Sequence, residues 1–517
     1  MKTFLQHLGA FVIGVLCGFD RIRFKGSKRK LAYPDGIARF CFGNQVKYKD
    51  FVSYSKGITS TITHALETPA KEAGIYRYLT SSLVRPEEVA LEIAAQHPPK
   101  AGLVAVLGRV EPCQTIVMRG KKGLLEPRLE VGKCLHYYHY YWDEDFGLRY
   151  TRLQTWFPFT MHIGINGRDW LGQQLRKAGI AHTKKDNCFT WIEDFQAAQK
   201  LADDQLKTNW TKLLEGWARQ SNPLEPTLFK EGVPYYWTAP EAEYATDFAF
   251  RSPEDLQRFY PAMVHHAYAT LQSGDLLRFM NYKITRATGE PWHKVLGEIK
   301  TTIRESVQGT CVRHRVIGNL LKMYDKQESV LRLETLLTNT LHFRVFRTPE
   351  GAADNEPKRY MRLRQGVADL HRRAEISQKI NERYAASLAT VEETRPLGEV
   401  IKDVTQRTQA KGRSVRALNP LAPDDAALLE AISRGEFLIH GFRNRDVRAV
   451  LYGPAEKSQQ RTQAAKLTRL FGILRAHGLI AKVPRTHRYQ LTEKGRTSTS
   501  VLLAARHANV KKLLQAA

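Results

Sequence analysis

The sequence predicts an α+β protein, in which a body of antiparallel strands and helices precedes a C-terminal domain of helices and two short strands. Over roughly the first 190 residues, strand-like alternation and helix-like spacing follow each other repeatedly. Near the C-terminus, three segments with helical apolar spacing precede two short strand patterns. A composition of 43% hydrophobic and 10% aromatic residues in 517 residues is globular and leaves room for two to four domains.

Shifts in pattern divide the chain into five segments. They are an N-terminal α+β region with an aromatic hairpin (1–193), a mainly helical region (194–310), a β-hairpin region with a long helix (311–393), a polar and basic linker (394–418) and a C-terminal domain (419–517).

The first strand is predicted from the alternation of Phe19, Ile22 and Phe24 with charged residues. The apolar residues 11–17 before it also resemble a weak signal peptide. That run is short and no small-residue cleavage site follows it, so we favour a buried first strand. In the rest of this region we predict helices over 34–66, 86–95 and 170–178, a strand over 103–110, and an aromatic hairpin of 135–142 with 148–165.

The middle of the chain is expected to be helical before it returns to strands. Helices are predicted over 194–219, 240–247, 253–277 and 366–393, and strands over 312–346. The helix over 240–247 would carry Glu241, Glu243 and Asp247, of which the last two are spaced for joint metal binding, although such pairs are more often solvated.

The C-terminal domain has the clearest pattern. Pro423 begins a first helix, Gly453-Pro454 ends a second over 443–451, and a third covers 459–477. Two short strands follow, over 479–484 and 487–491. This order, together with the run LRAHGLIAKVPRTHRYQLTEKGR, resembles a winged helix-turn-helix module, and the resemblance implies DNA binding.

Charge supports the same expectation. From Lys411 to the C-terminus there are 20 Lys and Arg against 7 Asp and Glu, a net of +13 out of +27 for the whole chain. A basic helix beside a basic hairpin suits phosphate contact and groove entry, whereas the alternative is a winged helix used only for protein contact. The predicted DNA-binding residues are Arg461, Lys466 and Arg469 on the third helix and Lys482, Arg485, His487 and Arg488 on the hairpin.

A second motif lies in NLLKMYDKQESVLRLE, residues 319–334. A strand ending in YDK that pairs with an R-x-E strand resembles a passage of the rolling-circle replication initiators of plasmids and filamentous phages. The resemblance implies that acidic residues bind a metal ion that aids strand nicking, with Asp325 and Glu334 as catalytic residues and metal ligands. If residues 326–329 form the turn, these two share a face about 13 Å apart, too far for one directly ligated ion. An exposed ladder of charged residues is the alternative.

The run HYYHYYWDEDF concentrates further candidate ligands: His136, His139 and Asp143. The histidines stand at i and i+3, so they point to opposite faces of a strand and depart from the i, i+2 pair of His-hydrophobic-His initiators. One of them could still join Glu334 in a mixed site for Mg²⁺ or Mn²⁺. An aromatic sheet face with polar ends is the competing interpretation.

A covalent mechanism also requires a nucleophile. Tyr384, on the long helix after the strands, is the first candidate because initiators often carry their reactive tyrosine on such a helix. Tyr324, within the YDK strand, is the second. Tyr384 is also compatible with an ordinary position on a helix surface.

We therefore expect a cytoplasmic DNA-binding protein of a mobile element or bacterial genome that cleaves DNA strands with Mg²⁺ or Mn²⁺, as in replication initiation or transposition. The alternatives are a non-catalytic winged-helix regulator and an RNA-binding protein that uses the aromatic hairpin as a stacking surface. The six cysteines form no C-x-x-C pair, and no apolar stretch is long enough to span a membrane. The sequence leaves the oligomeric state open.

Overall fold

The computed structural model describes residues 1–96, 101–121, 124–222, 234–282, 298–306, 309–349, 356–392, 397–410, 412–434, 437, 441–484 and 486–506. Its helices and strands bear out the α+β class. Eleven strands among these residues form one sheet, in the order β10-β11-β12-β13-β9-β1-β6-β5-β4-β3-β2. Every neighbouring pair is antiparallel except β2 with β3.

The strands of this sheet come from the whole body of the protein. They are β1 (Val12–Ser27), β2 (Tyr76–Tyr78), β3 (Gly102–Lys121), β4 (Leu124–Asp143), β5 (Gly147–Gln154), β6 (Met161–Asn166), β9 (Tyr236–Phe250), β10 (Ile299–Ser306), β11 (Gly309–Val316), β12 (Asn319–Lys326) and β13 (Val330–Leu336). Four two-stranded pairs complete the described strands: β7 (His182–Lys185) with β8 (Cys188–Ile192), β14 (Arg344–Arg347) with β15 (Arg359–Arg362), β16 (Thr408–Ala410) with β17 (Arg413–Val415), and β18 (Ile480–Lys482) with β19 (Tyr489–Leu491) in the C-terminal unit.

Helices cover both faces of the sheet. The helices of the body are α1 (Lys2–Leu8), α2 (Pro34–Gly43), α3 (Phe51–Glu72), α4 (Pro86–Gln96), α5 (Gly167–Lys177), α6 (Phe195–Asp204), α7 (Trp210–Ser221), α8 (Pro253–His265), α9 (Ser273–Phe279) and α10 (Leu370–Leu388). α2, α3, α7, α8 and α10 bury the larger apolar face of the sheet, which we call the helical face. α4, α5, α6 and the β7–β8 pair partly cover the other face, which we call the site face.

The expectation of a helix over 240–247 was wrong, because these residues lie inside β9. The alternation of Glu241 and Glu243 with Ala242 and Tyr244 has the period of two that a strand requires. β9 pairs with β1 on one side and β13 on the other. The segments 1–193, 194–310 and 311–393 therefore contribute to one sheet, and the first strand predicted around Phe19 lies near its centre.

The C-terminal unit contains α11 (Leu397–Thr405), α12 (Pro423–Ile432), α13 (Asn444–Tyr452), α14 (Lys457–Ala476), β18 (Ile480–Lys482), β19 (Tyr489–Leu491) and α15 (Glu493–Arg506). Three helices and a strand pair thus follow in the expected order, and Leu467, Phe471 and Leu474 are buried as the α14 stripe predicts.

Residues 394–418 were expected to be only a linker, yet most of them are ordered secondary structure. Val404 of α11 packs into the same apolar core as Leu418. His477 at the end of α14 hydrogen-bonds the backbone carbonyls of Asp403 and Arg416. The basic, polar composition hid this packing because only a few of its residues face the core. Within the described residues, no helix is long and apolar enough to cross a membrane.

Candidate functional site

The β12–β13 hairpin has a different register from the expected one. Asp325 pairs with Leu331, and Lys322 pairs with Glu334. The loop holds three residues, with positive φ angles at Gln327 (54°) and Glu328 (63°). Because side chains alternate along a strand, this one-residue difference places Asp325 and Glu334 on opposite faces of the sheet. The expectation that they share a face was wrong.

Asp325 lies on the helical face. Its Oδ2 accepts a hydrogen bond from Gln257 Nε2 at 2.7 Å, and Tyr260 Oη accepts one from its backbone N–H at 3.1 Å. Its Oδ1 is buried without a hydrogen-bond partner. Burial raises the pKa of Asp325 to about 6. The predicted role of Asp325 as a metal ligand beside Glu334 does not fit this position.

Glu334 instead meets two other carboxylates on the site face: Asp20 and Glu243. One ligand oxygen of each lies within 4.8 Å of the others. β13 pairs with β9 so that Glu334 is opposite Ala245, which leaves Glu243 two residues along the same face. A register shift in β1 between Phe19 and Ile22 brings Asp20 to them. We call Asp20, Glu243 and Glu334 the carboxylate trio.

Cationic side chains offset the negative charge of the carboxylate trio. Lys322 Nζ lies 3.1 Å from Glu243 and also forms a short ion pair with Glu334. Burial disfavours the charged form of Glu334, but the ammonium and hydrogen bonds of Lys322 outweigh it and lower the pKa of Glu334. The pKa of Glu243 is raised, first by burial and then by the charge of Glu334.

A second cation, Arg332, links the trio to a deeper carboxylate. Its guanidinium is 0% exposed and lies 3.0 Å from Asp20 and 2.6 Å from Asp247. Asn187 Nδ2 donates to both oxygens of Asp20, at 2.8 and 2.9 Å. Burial raises the pKa of Asp20, although Arg332 acts in the opposite direction. These contacts fix the Asp20 side chain in place.

Of the two tyrosine candidates, only Tyr324 is at the trio. Its hydroxyl donates to Glu334 Oε2 at 2.5 Å, and burial followed by the charge of Glu334 holds its pKa well above the usual value. Tyr384 is 0% exposed in the core of the helical face and hydrogen-bonds His314 Nε2 at 2.9 Å. The whole sheet separates it from Glu334, so its place in the fold does not suit attack at the trio.

The structure does not bring the aromatic hairpin's candidate ligands to Glu334. His139 is buried on the helical face without a hydrogen-bond partner, and burial lowers its pKa to about 4. Asp143 accepts from the backbone N–H groups of Asp145 and Phe146, which makes it a turn residue. His136 is on the site face, but three strands lie between β4 and β9, so that four strand spacings, or about 19 Å, separate them.

A groove of about 1010 Å³ opens beside the trio on the site face. Glu243 itself lines it, and Arg23 bridges Tyr150 Oη at 3.1 Å and Glu241 at 3.1 Å inside it. Cationic and aromatic side chains also line it: Arg21, Arg85, Arg176, Lys184, Lys326, Tyr140 and Trp142. The carboxylates Glu87, Glu88, Asp169 and Asp186 also line it, so its charge is mixed.

The C-terminal unit exposes most of its predicted DNA-binding residues. Arg461, Lys466 and Arg469 are exposed along α14, and Lys466 makes a 3.9 Å ion pair with Asp424. Lys482 and His487 are exposed at the strand pair, whereas Arg488 is half-buried and donates to the carbonyl of Gly441 at 3.2 Å. Arg485 lies outside the described residues.

Sequence reasoning missed Asp20 and misplaced Glu243. A usable signal was present for each: Asp20 is the first charged residue after the apolar first half of β1, and Glu243 follows Glu241 at the spacing of a strand. Their convergence depends on pairing between β1, β9 and β13, which no local pattern reveals. Comparison of the chain with protein-family models, with curated proteins and with solved structures found no match.

Proposed function

We propose that this protein binds DNA and cleaves a DNA strand in a reaction that depends on Mg²⁺ or Mn²⁺, as replication initiators and transposases of mobile elements do. The observation that carries the proposal is the carboxylate trio beside a tyrosine hydroxyl, with Glu243 of the trio lining a groove. Three strands that are distant in sequence place Asp20, Glu243 and Glu334 within 4.8 Å of one another. Such convergence of buried carboxylates is costly unless a cation offsets it.

The donor set suits the proposed ion. Carboxylate oxygens are the ligands that Mg²⁺ and Mn²⁺ prefer, and one to three of them with water suffice. Lys322 now lies between Glu243 and Glu334, so its ammonium must move aside for a divalent ion to bind both. A bound ion would supply positive charge for the scissile phosphate and the leaving oxygen.

Tyr324 is the proposed nucleophile. Its hydroxyl already donates to Glu334, which can take the proton as the phenolic oxygen attacks phosphorus. A tyrosine–phosphate ester forms, the phosphorus–oxygen bond to one neighbouring sugar breaks, and that oxygen leaves as a hydroxyl group after gaining a proton. The raised pKa of Tyr324 means that it needs such a base at neutral pH.

In this proposal the groove binds single-stranded DNA and the C-terminal unit binds duplex DNA. The groove combines Arg and Lys side chains with Tyr140, Trp142 and Tyr150, a combination that suits a single strand with its phosphates and bases. In the C-terminal unit, exposed Arg461, Lys466 and Arg469 on one helix suit duplex DNA in the manner of a winged helix.

The test is cleavage of a labelled single-stranded oligonucleotide pool with Mg²⁺, Mn²⁺ or EDTA, followed by denaturing electrophoresis. We expect cleavage with either ion, none with EDTA, and a protein-linked labelled band. Glu243→Gln should lose cleavage, whereas Asp325→Asn, which changes a carboxylate on the opposite face, should keep it. Metal-independent cleavage, or cleavage by Glu243→Gln at the wild-type rate, would contradict the proposal.

One observation favours a non-catalytic DNA-binding regulator as the second candidate. Lys322 and Arg332 already pair with all three carboxylates, so the trio also suits a structural ion-pair network. In that case the oligonucleotides are retained without cleavage under every metal condition. Preference for single-stranded RNA over DNA in the same assay would instead support the RNA-binding alternative.

A further inference from the structure

A cluster of softer ligands lies on the same face of the sheet, in the β3–β4 hairpin. Glu111 is paired with Cys134, Cys113 with Gly132, and Arg109 with His136. Directly paired residues of antiparallel strands share a face, and so do residues two apart on one strand. Cys113, Cys134 and His136 therefore project together.

Their ligand atoms are close enough for one ion. The three lie within 4.8 Å of one another, with 3.1 Å between the two Sγ atoms and 3.9 Å from Cys134 Sγ to His136 Nδ1. A tetrahedral Zn²⁺ site with ordinary bond lengths requires about 3.8 Å between two sulfurs and about 3.6 Å between sulfur and nitrogen. To reach those separations, the two sulfurs move apart by about 0.7 Å and Cys134 Sγ approaches His136 Nδ1 by about 0.3 Å.

The surroundings also suit an ion. His136 is 1% exposed, whereas both cysteines are half-buried, so an ion has an anchored ligand and a path of entry. His136 Nδ1 lies 3.1 Å from the carbonyl oxygen of Cys134. Coordination through Nε2 keeps that hydrogen bond, the usual way in which a ligating histidine is oriented, and coordination through Nδ1 gives it up.

We propose that Cys113, Cys134 and His136 bind one thiophilic metal ion of the Zn²⁺ class, separate from the carboxylate trio. Two thiolates and an imidazole select such an ion, whereas the trio offers only hard oxygen ligands. The three residues come from two strands, so the ion cross-links them. β5 pairs with β4 only from His136 onward, so the cross-link sits where the β3–β4 hairpin extends beyond its neighbour.

The experiment uses the full chain, reduced and freed of metal, titrated with Co²⁺ as a spectroscopic probe and then with Zn²⁺. We expect thiolate-to-cobalt charge-transfer absorption that saturates at one equivalent and disappears when Zn²⁺ is added. Cys113→Ser and Cys134→Ser should weaken Co²⁺ binding at least tenfold. The matched control Cys311→Ser, also a half-buried strand cysteine, should bind as the wild type does.

A second measurement needs no variant. Zn²⁺ should slow the alkylation of Cys113 and Cys134 in the wild-type protein, as mapped by mass spectrometry, while leaving Cys311 unprotected. The proposal is overturned if the reduced protein shows no thiolate absorption with Co²⁺, if Cys113→Ser retains it, or if Zn²⁺ protects neither cysteine. The proposal is also overturned if reduced Cys113 and Cys134 bind no metal and instead form a disulfide, which would identify them as a redox pair.

Discussion

The substitution Asp325→Asn tests whether the two carboxylates of the YDK and R-x-E strands, Asp325 and Glu334, have different effects on stability. Burial raises the pKa of Asp325 from 3.8 to about 6. A buried carboxyl group with a raised pKa destabilises the folded protein little while it is protonated. The folded protein becomes less stable once the pH is high enough to ionise that group. Between roughly pH 4 and pH 6 the wild type should therefore lose stability relative to Asp325→Asn, with a constant difference above that range.

The size of the effect follows from the shift. A rise in pKa from 3.8 to about 6 corresponds to a loss of at most about 3 kcal/mol in the free energy of unfolding at pH 8. Solvent near the turn screens part of this charge, so we expect about 1.5 kcal/mol in favour of Asp325→Asn. Asparagine can keep the bond from Gln257, and the position of Oδ1 has no partner to lose.

The assay is urea unfolding of the wild type and Asp325→Asn between pH 4 and pH 8. Glu334→Gln is the opposite control, because it removes one of the two carboxylates that pair with Lys322, and it should cost up to about 3 kcal/mol at pH 8. An Asp325→Asn protein that is less stable than the wild type at pH 8 would refute the reasoning, because the charge would then have a partner that the structure does not show.

Two further predictions concern DNA. Tyr324→Phe should abolish the protein-linked DNA product and cost no more than about 3 kcal/mol of stability, the value of one hydrogen bond to a charged group. Tyr360→Phe, a change at a 72% exposed tyrosine on β15, should leave the product unchanged. Replacing Arg461, Lys466 and Arg469 together with Ala should weaken duplex DNA binding and reduce the slope of log K against log salt by up to about 3.

Each DNA prediction has an outcome that contradicts it. A linked product that persists in Tyr324→Phe shows that another tyrosine attacks, and cleavage without any linked product in the wild type points to water. Unchanged affinity and salt slope in the triple variant exclude α14 as the contact surface for DNA phosphates.

Local sequence patterns were enough to predict the helices and strands whose apolar residues are periodic and whose ends carry capping or breaking residues. The stripe of α14 and the stop at Gly453 follow from helix chemistry within a few residues. The register of β12–β13 could not be predicted, because the same sequence is compatible with a loop of three or of four residues. The choice between them decides on which face of the sheet Asp325 lies. β9 was mistaken for a helix since Pro240 and the acidic residues after it also suit a helix start.

The candidate site could not be predicted, because its residues meet only through the complete sheet. Asp20 in β1, Glu243 in β9 and Glu334 in β13 are neighbours since β9 pairs with both other strands. Cys113 and Cys134 meet in a different way, through the pairing of β3 and β4 alone. The residues of the two proposed metal sites therefore meet through different strand pairings, and the two sites also differ in the kind of ion that their ligands suit.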